Sequence, residues 1–196
     1  MTPVLCLVTD RRRFGASWED ALLHRVRAAA VDGVHLVQVR ERDLDGGPLA
    51  RLVMACVDAV GGTSARVLVN DRFDVALAAG AHGVHLRGDS FPASRIRACA
   101  PRGFLIGRSV HSVSDAVLAA KDDAVDYLIF GTVFASASKP DRPAAGLREL
   151  SAVASATRLP VLAIGGMTSA NMADAMRAGA AGAAGISMFD TASDVS

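Results

Sequence analysis

Cysteine is scarce in this 196-residue sequence: Cys6, Cys56 and Cys99 are the three present, and no two form a CxxC pair. Neither a disulfide framework nor a paired redox motif is therefore expected. Each lies in an apolar run, where a thiol behaves as a small core hydrophobe, and all three are expected to be reduced. The five histidines show no HxH or HExxH spacing, so no zinc site is predicted. Charge of one sign is also lacking: 21 Lys and Arg against 20 Asp and Glu leave a formal net charge of +1. A near-neutral average gives no basic face for counterion-release binding, and nucleic acid is not an expected partner. The N-terminus MTPVLCLVTDRRRFG has no basic region before its apolar run, which is too short for a secretory core or a membrane span. A cytoplasmic protein with no membrane partner is expected, which makes adhesion a poor explanation of Arg87-Gly88-Asp89. No Pro/Gly/Ser-rich linker divides the chain.

What is present is repetition. With 51% hydrophobic and 21% charged residues, the chain can bury a substantial core. Eight short runs rich in Val, Leu and Ile occur at 3–10, 34–41, 66–71, 83–86, 104–110, 126–134, 160–167 and 181–189. Their near-continuous apolarity is the pattern of strands covered on both faces. Alanine-rich segments of helical spacing lie between most of them. Ser17, Ser112 and Ser169 are candidate N-caps, and Gly179 is a candidate helix stop. Eight βα units over residues 1–196 predict a single-domain (β/α)₈ TIM barrel, with a doubly wound sheet as the alternative. The last helix is expected to be short or missing, because only DTASDVS follows the eighth run. That predicts apolar surface at the junction of first and eighth strands, covered in a homo-oligomer or by further chain.

In such barrels the reacting groups stand at the C-terminal strand ends. The second strand supplies Gln38, Arg40 and Arg42, the third Asn70 and Asp71, and the fourth His85 followed by Arg87 to Ser90. The fifth supplies Arg108, Ser109 and His111, and the sixth Thr132 and the loop with Ser136, Ser138 and Lys139. Gly165-Gly166 and Gly185-Ile186-Ser187 end the seventh and eighth strands, where exposed backbone amides commonly meet a phosphate. Tight turns needing positive φ are the plainer explanation of one Gly-Gly. Arg40 follows LVQV in a strand expected to be buried, so its guanidinium requires a partner. Strand alternation turns Glu41 the other way, to brace the barrel. His24 and His35 fall away from the mouth, and His82 is a turn residue.

The segments VQVRERDL (37–44), VLVNDRFDVALAAGAHGVHL (67–86), IGRSVHSVSDA (106–116), DYLIFGTVF (126–134), SKPDRPAAGL (138–147) and AIGGMTSANMADAMRAGAAG (163–182) together resemble the thiamine phosphate synthase superfamily, which includes the TenI-type thiazole tautomerases. The resemblance spans about residues 4–189. It implies that Gln38, Arg40 and Asn70, with Ser109, Ser136, Ser138 and Lys139, hold a pyrimidine diphosphate. It also implies that Gly166, Ile186 and Ser187 cradle a thiazole phosphate. A synthase uses Mg²⁺, for which Asp71 would be one ligand, whereas a tautomerase needs no cofactor.

Both patterns are broken. Aligning GVHLRGDSFP on the synthase pattern G-V-H-L-G-Q-x-D-L-P puts Ser90 where the second metal carboxylate belongs, with Asp89 one residue early. Arg42 stands at a common lysine position. Arg40-Glu41-Arg42, Ser90-Phe91 and GRSVHS resemble the tautomerase branch, yet the histidine of that branch's F-G-H-V-F context is Thr132. A threonine hydroxyl is no general base near neutral pH without activation, which makes His111 the expected proton carrier. The loop SASKPD resembles a synthase. The favoured expectation is a TenI-like tautomerase aromatising a thiazole carboxylate phosphate. The alternative is a thiamine phosphate synthase joining a phosphorylated thiazole to a pyrimidine diphosphate, and a third is a catalytically silent, ligand-binding barrel.

Overall fold

The computed structural model describes residues 2–135 and 143–190. Eight parallel strands close on themselves: β1 Val4–Val8, β2 Leu36–Val39, β3 Arg66–Asn70, β4 Gly83–Leu86, β5 Leu105–Val110, β6 Tyr127–Gly131, β7 Val161–Ile164 and β8 Gly182–Gly185. The pairing of β1 with β8, Val4 opposite Gly182 through Leu7 opposite Gly185, makes the sheet a barrel and removes the doubly wound alternative. Helices α1 Trp18–Val31, α2 Gly46–Ala59, α3 Phe73–Ala78, α4 Ala93–Arg97, α5 Val113–Ala120, α6 Gly146–Ser155 and α7 Met172–Arg177 alternate with the strands. No described helix is long and apolar enough to cross a membrane.

Two-residue periodicity divides each strand between two cores. Cys6, Val8, Leu36, Leu68, Tyr127, Ile129, Leu162 and Ala184 fill the barrel interior, while Leu7, Val37, Val39, Val67, Val84, Ile106, Phe130 and Ala163 face the helices. Both faces are apolar, which explains the near-continuous runs. Inside, a Cβ on Gly107 would collide with the Tyr127 ring, so this glycine makes room for the large aromatic at its neighbour in the pairing.

Several expectations need correction. Ser112 caps α5 through the Asp115 amide at 3.1 Å, but Ser17 precedes α1 without a side-chain cap bond. α7 begins after Asn171 rather than after Ser169. The Asn171 amide, two residues on from Ser169 and a donor its cap would engage, turns to Thr168 Oγ1 at 3.4 Å instead. Gly179 does follow α7 with φ 96°. Cys6 and Cys56 are buried, with thiols pushed up to about 12 by desolvation, but Cys99 is exposed and no core residue. The expected absence of a final helix concerns residues beyond Asp190, outside those described.

Glu41 braces the barrel as its strand parity implied. It is buried, and its carboxylate accepts from Thr9 Oγ1 at 2.6 Å and from the Arg11 amide at 3.1 and 3.2 Å. Thr9 Oγ1 in turn accepts from the Arg40 amide at 2.9 Å, so the brace fixes the backbone on which Arg40 stands. Glu41→Ala would orphan two donors and is expected to cost roughly 1–3 kcal/mol in urea unfolding. A loss under about 0.5 kcal/mol would deny the brace its role.

Candidate active site

The inward-facing positions that are apolar low in the barrel become polar at its top. Gln38, Asn70, His85 and Ser109 succeed Leu36, Leu68, Gly83 and Gly107 by one two-residue step on their strands, and they form a floor. Gln38 donates to Asn70 Oδ1 at 3.1 Å. His85 is fully enclosed, with Nδ1 3.1 Å from the Tyr127 hydroxyl and Nε2 2.9 Å from Ser109 Oγ. Above this floor opens a cavity of about 1810 Å³. It is lined by Arg40 and Arg42 from the β2 end, His111 and Thr132 from the β5 and β6 ends, and the glycine-bearing turns after β7 and β8. The cavity continues as a groove between α4 and α5. Sequence reasoning missed Arg12, which lines the mouth; its signal was the Arg-Arg-Arg run after the first strand.

Arg40 is half-buried, and its pKa is lowered first by desolvation and then by the nearby Arg42 cation. No described carboxylate lies within ion-pair distance of it. A guanidinium stays protonated in proteins, so this wall of the cavity is a standing positive site suited to an anion.

At the β7 end of the cavity Gly165 and Gly166 have φ of 96° and 61°. Side chains here are barred twice, by backbone conformation and by space: Cβ atoms would strike the Thr132 side chain and the Ala135 carbonyl oxygen. The close approach these glycines permit is thus to the chain leaving β6, in addition to whatever occupies the cavity. Asn171 Nδ2 donates to Gly166 O at 2.8 Å and holds the turn. Ile186 and Ser187 join Gly165 and Gly166 along this wall.

The Arg87-Gly88-Asp89 loop borders the same cavity. Arg108 straps it down by donating to the carbonyls of Gly88 at 3.2 Å and Phe91 at 2.5 Å. Asp71 does not line the cavity; with Arg42 and Arg87 it faces a small side pocket. The Ser90 hydroxyl donates to Asp71 Oδ1, and Arg87 Nη1 stands 3.7 Å from Oδ2. Asp89 turns outward onto a two-pronged pair with Arg87, at 2.9 and 2.6 Å, which holds its carboxyl below the usual range. Among the described residues no group of three His, Cys, Asp or Glu could hold a metal. This donor set does not fit a protein-borne Mg²⁺: one carboxylate is spent on a hydroxyl and shadowed by a cation, and the other is tied to that same cation.

His111 lies on the exposed rim, and its Nδ1 donates to the Gly131 carbonyl at 2.7 Å, beside the buried Thr132. That bond fixes the neutral tautomer with a lone pair on Nε2. His24 is exposed on α1, while His35 and His82 accept backbone amides of Leu5 and Val67, away from the cavity. Ser136, Ser138 and Lys139 lie outside the described residues.

Burial, with a smaller push from Arg108, lowers the His85 pKa to about 3. An unfolded histidine binds its proton near 6.5, so the unfolded chain takes up more protons between those values. The stability from neutral His85 is whole above about 6.5 and is lost as pH falls toward 3. Nitrogen-detected NMR should show His85 neutral at pH 5; a His85 midpoint near 6.5 would contradict the buried floor.

The comparisons with known proteins point one way. The profile of the family described as thiamine monophosphate synthase matches residues 5–189. A thiamine-phosphate synthase from Methanoculleus marisnigri is 44% identical over 86% of this chain and 80% of its own length. A putative thiamine-phosphate synthase from Geobacter sulfurreducens is 41% identical over 93% of this chain and 84% of its own. The solved thiamine phosphate pyrophosphorylase from Pyrococcus furiosus superposes with a TM-score of 0.83 at 30% identity, over 97% of this chain and 90% of that one. This barrel belongs to the thiamine monophosphate synthase/TenI family, enzymes of thiamine biosynthesis.

Proposed function

We propose that this chain is a thiamine-phosphate synthase, joining a phosphorylated thiazole to a pyrimidine methyl diphosphate with release of pyrophosphate. The observation that carries the reading is a pair of separate anion-ready stretches on the rim of one cavity, Arg40 and Arg42 at the β2 end and the Gly166 and Ile186-Ser187 turns at the β7 and β8 ends. Two phosphorylated substrates brought head to head need two such stretches. The relatives, thiamine-phosphate synthases by name, favour the synthase over the tautomerase that Ser90 and Arg42 first suggested.

The chemistry requires little of the side chains. The thiazole nitrogen lone pair forms the new C–N bond to the pyrimidine methylene, and the C–O bond to diphosphate breaks with its electron pair leaving on oxygen. No proton is transferred and nothing is oxidised. The protein's tasks are alignment and stabilisation of the departing negative charge, for which Arg40 and Arg42 are placed. Gln38, Asn70 and Ser109 offer the pyrimidine edge a floor of donors and acceptors, with Ser109 oriented by His85. No step is assigned to a metal. Mg²⁺ alone is expected to bind only in the millimolar range by calorimetry, and Ser90→Asp to tighten it about tenfold.

His111 keeps the tautomerase as a second reading, because its Nε2 lone pair at the rim could accept a proton. With both substrates supplied, release of pyrophosphate matched to thiamine phosphate is expected. Arg40→Ala should lower kcat/KM by about a hundredfold, and His111→Gln should change it less than about threefold. No pyrophosphate release, together with aromatisation of a thiazole carboxylate phosphate that falls about a hundredfold in His111→Gln, would establish the tautomerase instead. Binding without either turnover would leave a silent barrel.

A further inference from the structure

The chain leaving β8 is gripped from outside the cavity. Arg25, in the middle of α1 and 5% exposed, donates through Nη2 to the Ile186 carbonyl at 2.6 Å and pairs with Asp190. Arg13, in the 3-10 turn Arg11–Arg13 after β1, forks onto Asp190 with Nη1 to Oδ1 at 2.9 Å and Nη2 to Oδ2 at 2.6 Å. Its Nη1 also stands 3.5 Å from Ile186 O. Burial alone would raise the Asp190 carboxyl, but the bonds from Arg13 and Arg25 hold it below the usual range. Neither arginine lines the cavity, whereas Ile186 and Ser187 do.

From this arrangement we propose that Arg13, Arg25 and Asp190 form a clamp that positions the β8 turn to receive the phosphate of the thiazole substrate; the identity of that ligand rests on the synthase reading. The argument is one of peptide geometry. The bond between Ile186 and Ser187 is trans, so the Ser187 N–H points opposite to the Ile186 carbonyl. Two guanidinium groups draw that carbonyl outward toward α1 and thereby turn the Ser187 N–H inward, to the cavity side. A charged donor on the carbonyl also polarises the peptide unit and strengthens its N–H as a donor. Asp190 pairs with both guanidinium groups, offsets one of their two positive charges and fixes their spacing, so Arg25 tolerates burial where a lone guanidinium would not. All three are positioning residues, since none is placed to touch the substrate. Arg40 stands at the β2 end of the mouth, two strands from β8, where its own backbone is fixed through Thr9.

The experiment is calorimetric titration of the phosphorylated thiazole, of inorganic phosphate and of inorganic pyrophosphate into the full chain and its variants. Arg25→Leu is expected to weaken the phosphorylated thiazole and phosphate by about tenfold or more, and pyrophosphate less than about twofold. If Arg25→Leu fails to fold, the partly exposed pair carries the test: Arg13→Gln and Asp190→Asn should each weaken the phosphorylated thiazole by about threefold or more, and the double variant no more than the worse single one. Equal weakening of pyrophosphate and phosphorylated thiazole would reduce the clamp to general stability, and unchanged binding of both would overturn it. A wild-type chain that binds inorganic phosphate through the Ser187 amide, with the variants weakened, but catalyses no synthesis would support the clamp while contradicting the synthase reading.

Discussion

Closure between β1 and β8 is the contact on which the rest of the molecule depends. β8 is the four-residue strand Gly-Ala-Ala-Gly, and a Cβ on Gly182 would run into the Val4 backbone. Only with small residues there can the eighth strand lie against the first and complete the ring. Completion brings the β8 turn beside the Arg11–Arg13 turn after β1, although Arg13 and Asp190 are 177 residues apart. It also places that turn two strands round the mouth from β2 and Arg40, with β1 between them. Both the clamp and the two-part site follow from a strand too small to hold a barrel apart.

The polar floor has its own logic. A TIM barrel interior is a packed core, and this one is filled from below by Cys6, Leu36, Leu68, Leu162 and the Tyr127 ring. The change to Gln38, Asn70, His85 and Ser109 at the top costs solvation that is recovered only if each group is paired, and the described bonds pair them. His85, kept neutral by burial, serves as an orienting hydrogen-bond partner for Ser109 and not as a proton carrier near neutral pH. Arg40 is the contrast: it has no described ion-pair partner, and an anionic ligand is the group that would complete it.

The barrel was legible because burial on both faces leaves a local record, eight apolar runs with helical segments between them. Gln38, Arg40 and the paired glycines were legible for a related reason: strand ends are visible in the chain, and the fold sends them to one mouth. What could not be read were partnerships between distant segments. The enclosure of His85 depends on Tyr127 and Ser109, 42 and 24 residues away. Asp71 resembles a metal ligand along the chain, yet its φ of 61° and its engagement by Ser90 and Arg87 turn it to a side pocket. Arg13 and Arg25 drew no reading from the sequence, because nothing local announces the Ile186 carbonyl they hold.

The central claim is that one cavity holds two anions at separate places on its rim, the β2 end and the β7 and β8 turns. A crystal structure of the chain with phosphorylated thiazole and inorganic pyrophosphate bound together tests it most directly. The account predicts the thiazole phosphate on the backbone amides of Gly166 and Ser187 and the pyrophosphate on the Arg40 and Arg42 guanidinium groups, with the thiazole ring between them over Ser109. Both anions at a single one of these places, or the thiazole phosphate held by Arg40 with the β8 turn vacant, would contradict it.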